Sequence, residues 1–346
     1  YAGDLAERQA RALAGAGSAI RAADFDAQTA TWETPLATTY RGIRLTTHPP
    51  NSSGIVTLEL LRILERFEPP SPSAFGADGV ADARWIHLGI EASKLAIADR
   101  NRVLADPAFG RVPTDELLDP EHVAELTARI DPRRASRPVS ADVRPGGDTV
   151  FLATVDGEGN AVSLIQSNYF GFGSGVVDPD TGIHFHNRGA SFSLQPGHPN
   201  ELAPGKRPLH TLLPAMLFRD DGRPGAGPWI VVGSMGADAQ PQIHAQFVSA
   251  VVDGGLDIRT AVAAPRWFVE PEEQFLPPVS IRAEPRMAPG VLRALEAMGH
   301  PVTRTEAFDA LLGQEHAIEL VDGGPAAGGT LAATTDPRSA GLPAVW

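Results

Sequence analysis

The chain has 346 residues, 42% hydrophobic and 21% charged, a balance that supplies a large apolar core and excludes a disordered chain. Lys+Arg 29 against Asp+Glu 42 gives a net charge of −13, a field that repels phosphate backbones and anionic lipid, so nucleic acid is not an expected partner. With no cysteine, disulfides, thiolate catalysis and cysteine-ligated zinc or iron–sulfur centres are excluded together. No apolar run of about 18 residues occurs, so no membrane-spanning helix is expected. Tyr1-Ala2-Gly3-Asp4 lacks the basic start and apolar stretch of a signal peptide and reads as the interior of something longer. Cytoplasm and periplasm both remain open.

In chain order, Asp4 to Ala16 carries helix formers with Gly17 as a stop. Tyr40 to Thr47 alternates like a strand and is halted by Pro49-Pro50. Ser52 or Ser53 is placed to cap a helix in which Val56, Leu60, Ile63, Leu64 and Phe67 fall at helical spacing. After a proline-rich link at 69–73, residues 81–104 predict a second helix, with Trp85, Leu88, Ala92 and Leu95 on one stripe, and 119–130 a third. Residues 131–147 hold three prolines, four arginines and a Gly-Gly pair, the composition of a surface linker.

At Thr149 the texture changes. Thr149 to Val155 and Ala161 to Ser167 are β-rich around the turn Gly157-Glu158-Gly159-Asn160, which predicts a hairpin. Further strands are expected at 183–187, 211–218, 229–233, 315–321 and 328–334, and helices at 238–253, 257–264 and 289–298. Helices, then strands, then helices between strands point to a layered α+β sandwich rather than a parallel βαβ array. No repeat or low-complexity tract interrupts it.

Several patterns offer chemistry. A threonine hydroxyl needs a base, and a free α-amine on the same residue can be that base if the chain is cut before it. The linker ending Gly146-Gly147-Asp148, followed at once by Thr149 heading a strand, has that layout, although β-propensity alone also puts threonine at strand starts. Gly171-Phe172-Gly173-Ser174-Gly175 fits neither a phosphate loop nor a serine elbow and reads as a tight turn. Gly233-Ser234-Met235-Gly236-Ala237-Asp238 lies between a strand and a helix, where backbone N–H groups can face an anion. His184-Phe185-His186 puts two imidazoles on one face of a strand, but no acidic residue lies nearby in sequence to complete a metal site. His87 and Glu91, four apart on a helix, read as a surface pair.

Thr149 to Val162 (TVFLATVDGEGNAV) with Gly173-Ser174-Gly175 resembles the start of the small subunit of the γ-glutamyltransferases (γ-glutamyltranspeptidases). So do Lys206-Arg207-Pro208-Leu209, the Gly233-Ser234-x-Gly236 turn, Ala264-Pro265-Arg266 and Asp336-Pro337-Arg338-Ser339. Upstream, Pro49-Pro50-Asn51-Ser52-Ser53-Gly54, Glu91-x-x-Lys94, Ala98-Asp99-Arg100 and Asp106-Pro107-x-Phe109 resemble the end of the large subunit. The motifs keep family order across nearly the whole chain. The resemblance implies the N-terminal-nucleophile hydrolase fold, an αββα four-layer sandwich, here beginning partway through the large subunit. It implies residues 1–148 as the end of the large subunit and 149–346 as the small subunit, together one globular unit. It implies a zymogen that cuts itself between Asp148 and Thr149 into a large/small heterodimer, and it requires neither cofactor nor metal.

Residue by residue, the resemblance makes Thr149 the nucleophile and, through its freed amine, the base. It places Ser167 where a hydroxyl supports that nucleophile, and Gly236 and Ala237 at the oxyanion pair; the Cβ of Ala237 implies ordinary dihedrals there. Where the family holds the α-ammonium of a glutamyl donor with an acid and neutral amides, this chain has Ser191, Tyr169 and Arg188. Where it holds the α-carboxylate with paired serines, this chain has His210-Thr211. The segment between Phe192 and Lys206 is short, which implies that most of the family's lid loop is missing. The implied reaction passes an acyl group from a γ-glutamyl or related acyl amide through an acyl–threonine to water or an amine. Two donor classes compete: a γ-glutamyl donor such as glutathione, and a glutaryl-type donor without the α-amine, as in the cephalosporin-acylase-like relatives, which Arg188 favours. A non-catalytic binding homologue or an unprocessed precursor is the alternative, against which stands the intact order of Asp148-Thr149, Ser167 and the Gly236 turn.

Overall fold

The computed structural model describes residues 1–76, 78, 82–136, 149–219, 227–269 and 281–345. Its elements in order are α1 (Asp4–Gly15), α2 (Ala22–Asp26), β1 (Leu36–Tyr40), β2 (Ile43–Thr47), α3 (Gly54–Glu65), α4 (Ala83–Val103), α5 (Thr114–Leu117) and α6 (Pro120–Ala128). Then come β3 (Thr149–Val155), β4 (Ala161–Ser167), β5 (Ala215–Arg219), β6 (Ile230–Met235), α7 (Gln240–Val252) and α8 (Ile258–Ala263). The chain closes with β7 (Trp267–Val269), β8 (Ile281–Ala283), α9 (Val291–Ala297), β9 (Val302–Arg304), β10 (Gln314–Val321) and β11 (Thr330–Thr334). Both the expected cleavage position at Asp148 and most of the expected linker lie outside the described residues.

A six-stranded antiparallel sheet, ordered β1-β2-β5-β6-β10-β11, forms the middle of the molecule. The hairpin β3–β4 makes its own two-stranded sheet and packs on β6 and β10. Helices α3, α4, α6, α7 and α8 share one apolar core with the larger sheet. These are helix, sheet and sheet layers of the N-terminal-nucleophile hydrolase fold. The hairpin alternates as a half-packed strand pair does: Phe151 is buried, while Val150, Leu152, Val162 and Leu164 lie on an exposed face. A smaller antiparallel-and-parallel sheet, β7-β8-β9, packs with α4 and α9 in a second core cluster.

Several expectations are corrected. The stretch 40–47 is not one strand but the turn and second strand of a hairpin that begins at Leu36, because Arg41 (φ 51°) and Gly42 (φ 81°) make a two-residue turn inside the alternating pattern. The helix expected after Ser53 is present as α3, buried on nearly every side because the sheet, α4, α6 and α7 enclose it. Ser53 stands at its N-cap but makes no cap; its Oγ donates instead to the carbonyl of His210 at 3.1 Å. Asp82 and Asp119 do cap α4 and α6, accepting from Trp85 N–H and Glu121 N–H at 2.7 and 2.8 Å. The strand expected at 183–187 is only an isolated bridge, Val177 to His184, because the turn Asp178–Gly182 gives it no longer partner. The strand expected at 211–218 starts at Ala215: Pro214 has no N–H for the ladder, and the residues before it pair with the 49–54 loop.

His87 and Glu91 are also corrected, since both are buried rather than a surface pair. His87 Nδ1 meets His300 Nε2 at 2.7 Å and its Nε2 meets the carbonyl of Asp131 at 2.8 Å. Glu91 accepts from Lys94 Nζ at 2.6 Å and from Ser136 N–H at 3.1 Å. These contacts tether the start of the 131–147 stretch to α4.

Candidate active site

Thr149 opens β3 directly opposite Ser167 at the end of β4. Its Oγ1 donates to Ser167 Oγ at 2.9 Å, and Ser167 Oγ also accepts from the Tyr169 N–H at 2.9 Å. The register of one hairpin therefore brings together two hydroxyls that are 18 residues apart in sequence. What seats this hairpin is a glycine: a Cβ on Gly233 of β6 would lie 2.2 Å from the ring of Phe151. Only the bare backbone lets the Phe151 ring, two residues past Thr149, lie flat on β6.

Strand β6 ends in the turn that carries Gly236 and Ala237. Gly236 has φ 158° and ψ 16°, and Ala237 has φ 46°. The expectation of ordinary dihedrals at Ala237 is thus corrected: it stands in the left-handed region despite its Cβ. The Ala239 N–H bonds to the Gly236 carbonyl at 2.9 Å, which closes a short turn ahead of α7. Among the described residues, neither the Gly236 nor the Ala237 N–H is taken up by an acceptor. Two adjacent amides left open at a strand-to-helix turn can receive a developing oxyanion.

Beside these lies a cleft of about 990 Å³ whose lining includes Tyr169, Arg188, Ser191, Thr211, Asp238 and Arg100. Tyr169 is buried with φ 80°, and its ring carries the Arg188 guanidinium 3.6 Å above its centroid. Arg188 donates to Ser191 Oγ at 3.3 Å and to Thr211 Oγ1 at 3.2 Å. No described carboxylate lies within ion-pairing distance of it. Burial pulls its pKa down to about 10 against the opposing pull of Tyr169 and Asp238, so it remains a cation at neutral pH. A continuous chain of contacts therefore runs from Thr149 through Ser167 and Tyr169 to Arg188 and Thr211.

His210 does not join the cleft lining. Its backbone N–H and C=O bond to Asn51 and Ser53, locking the 49–54 loop against the residues that precede β5. Burial, then Arg188, His48 and Arg207, push its pKa down to about 3, which leaves the ring neutral. The short 192–206 segment folds over the cleft edge, where His198 Nε2 meets the Asn101 carbonyl at 3.0 Å. His184 and His186 form no metal pair: the His184 ring packs against Phe172, and His186 Nδ1 accepts from Arg188 N–H at 3.2 Å. Two side chains of the cleft carry no role in the sequence reading, Arg100 and Asp238. Asp238 closes the Gly233–Asp238 turn and Arg100 ends the Ala98-Asp99-Arg100 motif, but nothing in sequence links them; their ion pair joins segments 138 residues apart.

The family model described as Gamma-glutamyltranspeptidase matches residues 1–346. The chain belongs to the γ-glutamyltranspeptidase family. It is 36% identical over 344 residues to a glutathione hydrolase-like proenzyme of Bacillus subtilis and 38% identical over 344 residues to an oxamate amidohydrolase proenzyme of Klebsiella pneumoniae. Each match covers 99% of this chain and 61% of the relative, so the chain spans about three-fifths of their length. A crystal structure of a cephalosporin acylase from Bacillus halodurans superposes with a TM-score of 0.84 at 36% identity, covering 100% of this chain and 59% of the other.

Several γ-glutamyltranspeptidase motifs find structural partners here. Asp106 of the Asp-Pro-x-Phe motif receives the Arg207 side chain of Lys-Arg-Pro-Leu at 2.9 Å and its N–H at 2.8 Å. Arg266 and Arg338 are buried together with Asp336, Glu315 and Glu284, Arg266 pairing with Asp336 at 2.7 Å and Arg338 with Glu284 at 2.6 Å. This network ties α8, β8 and β10 to the C-terminal segment.

Proposed function

We infer that the chain carries the reactive part of a threonine-dependent amidohydrolase, with Thr149 as nucleophile after cleavage before it, and with an acyl donor that ends in a carboxylate. Thr149 Oγ1 attacks the amide carbonyl carbon while its proton passes to the freed α-amine of the same residue. The Gly236 and Ala237 N–H groups receive the oxyanion. Collapse breaks the C–N bond, and the amine leaves with the proton. Water then attacks the acyl–threonine ester, which releases the acid and restores the hydroxyl. Before the attack, Ser167 Oγ positions Thr149 Oγ1 by accepting its hydrogen bond.

Arg188 carries the donor assignment: a cation in the cleft, held by two hydroxyls and a ring, with no described carboxylate paired to it. A donor carboxylate can take two parallel hydrogen bonds from it, whereas a donor α-ammonium meets repulsion. Relatives named for cephalosporin acylase and oxamate amidohydrolase agree with such a donor; the glutathione hydrolase relatives support the γ-glutamyl alternative. Expected in the full-length protein are a fragment beginning at Thr149 by mass spectrometry, an uncut Thr149→Ala variant without amidase activity, and higher kcat/KM on glutaryl- than on γ-glutamyl-p-nitroanilide by at least about tenfold. Full activity in Thr149→Ala would remove the nucleophile assignment, and a γ-glutamyl preference would remove the donor assignment.

A further inference from the structure

Asp238 is the sole carboxylate among the described residues lining the cleft, and it follows directly on the oxyanion turn. Left alone, it would be the natural partner of Arg188, whose charge it already feels at a distance. It is instead held by Arg100 from α4, whose Nη1 donates to Asp238 Oδ1. Arg100 is 2% exposed and Asp238 5%. The rest of the guanidinium is fixed as well: Nε and Nη2 both donate to Asn101 Oδ1, at 3.0 and 2.9 Å. The planar fork thus has one direction left for the aspartate, and a planar, always-charged group keeps that geometry where a lysine would not.

We propose that Arg100 is the specificity-determining residue of this site: by engaging Asp238 it keeps Arg188 available for the donor carboxylate and holds the Asp238 end of the oxyanion turn in place. This rests on the reading of Arg188 as the carboxylate receptor. The charges of the three side chains decide the matter. Among the described residues lining the cleft the guanidinium groups are Arg100 and Arg188 and the carboxylate is Asp238, so with Arg100 on Asp238 the remaining guanidinium is Arg188. Without Arg100, the Asp238 carboxylate loses the guanidinium that engages it, and its charge acts either on Arg188 or on whatever donor group enters the cleft. The first quenches the receptor; the second supplies an acid for a donor α-ammonium. Either way the preference for carboxylate donors falls.

The same turn feels the pair mechanically. Ala237 sits at φ 46° between Gly236 and the anchored Asp238, a conformation its Cβ resists and that neighbours must impose. Arg100 therefore also acts through Asp238 on the oxyanion donors, and its loss is read in kcat for every donor. A change in the ratio between donors is the readout that turn geometry alone does not produce.

The experiment uses processed full-length protein with glutaryl- and γ-glutamyl-p-nitroanilide in parallel. Arg100→Met is expected to lower kcat on both donors and to shrink the glutaryl-to-γ-glutamyl ratio of kcat/KM at least about tenfold, with KM rising for the glutaryl donor. Arg100→Lys keeps the charge and is expected to retain the preference with reduced kcat. Asp238→Asn, which leaves Arg100 as an extra cation, is expected to enlarge the ratio, and it also serves if Arg100→Met does not fold. A wild-type enzyme that prefers the glutaryl donor, with an unchanged ratio in Arg100→Met and in Asp238→Asn, overturns the proposal while Arg188 keeps its role. A wild-type enzyme that prefers the γ-glutamyl donor overturns the Arg188 reading, and the proposal with it.

Discussion

Ala237 holds the clearest local conflict of the site. A residue with a Cβ at φ 46° costs on the order of 1 kcal/mol relative to glycine, and the turn imposes it between Gly236 and Asp238. Ala237→Gly is therefore expected to raise stability by roughly 0.5–1 kcal/mol in thermal or denaturant unfolding and to keep amidase activity, because the N–H donor remains. A destabilised Ala237→Gly variant would show that the methyl group packs more usefully than its dihedral costs. Proline is no probe of the same N–H, since its ring fixes φ near −65° and would break the turn outright. At this scale the sequence marked the residues proposed to react: Thr149 after a linker, Ser167 at the far end of a hairpin, and a glycine turn after a strand. The backbone sign of Ala237 and the partnership of Arg100 with Asp238 were not legible, because both are set by packing between segments distant in the chain.

Hairpin β3–β4 shows how an element positions the proposed nucleophile. Phe151 and Gly233 fit face to face, and a Cβ on Gly233 would overlap the ring by well over an ångström. Gly233→Ala is expected to lift the start of β3, to slow cleavage before Thr149 and to lower kcat at least about tenfold. Adding Phe151→Leu should recover part of both, and no recovery would place the fault elsewhere. The junction of α3, α4 and α6 supplies a test of pH. Glu59 is fully buried, with His122 Nε2 at 3.3 Å from its carboxyl, while Asp99 accepts from the same Nε2 at 2.7 Å. Burial, and then the negative charge of Asp99, pushes the Glu59 pKa up to about 10. A carboxyl with a raised folded pKa binds more protons folded than unfolded, so its contribution to stability is intact below its ordinary value near 4.5 and is lost as pH rises toward 10. Glu59→Gln is expected to flatten that decline and to add about 1–3 kcal/mol at pH 8, read from urea unfolding across pH. Equal slopes in both proteins would refute it. Long elements such as α3 and α4 were legible from their apolar spacing. The three-residue strands β7, β8 and β9 were not, being too short for any period to show.

Across the whole molecule, residues before and after position 149 share one core: Tyr40, Leu58, Leu61 and Leu88 cluster with Leu217, Ile230, Phe247 and Val262. Polar ties cross the same junction. Tyr40 O–H donates to Asp253 Oδ2 at 2.5 Å, Arg41 pairs with Asp253 at 2.9 Å, and Arg207 pairs with Asp106 at 2.9 Å. The two segments were expected from the texture change at Thr149, but how they hold together was not, because contacts between distant segments leave no local pattern in sequence. If the chain is cut before Thr149, the two pieces lose a covalent bond and keep this shared interior. Exposed ion pairs weaken in salt over about one Debye length, some 3 Å at 1 M, whereas apolar burial does not. The processed protein is therefore expected to elute as one species from size exclusion in 1 M sodium chloride, with both fragments present on a denaturing gel. Separation should need urea and should coincide with the loss of tertiary structure followed by near-ultraviolet circular dichroism. Fragments that part in salt alone, while helix content persists, would mean that charge pairs rather than the common core join the two pieces.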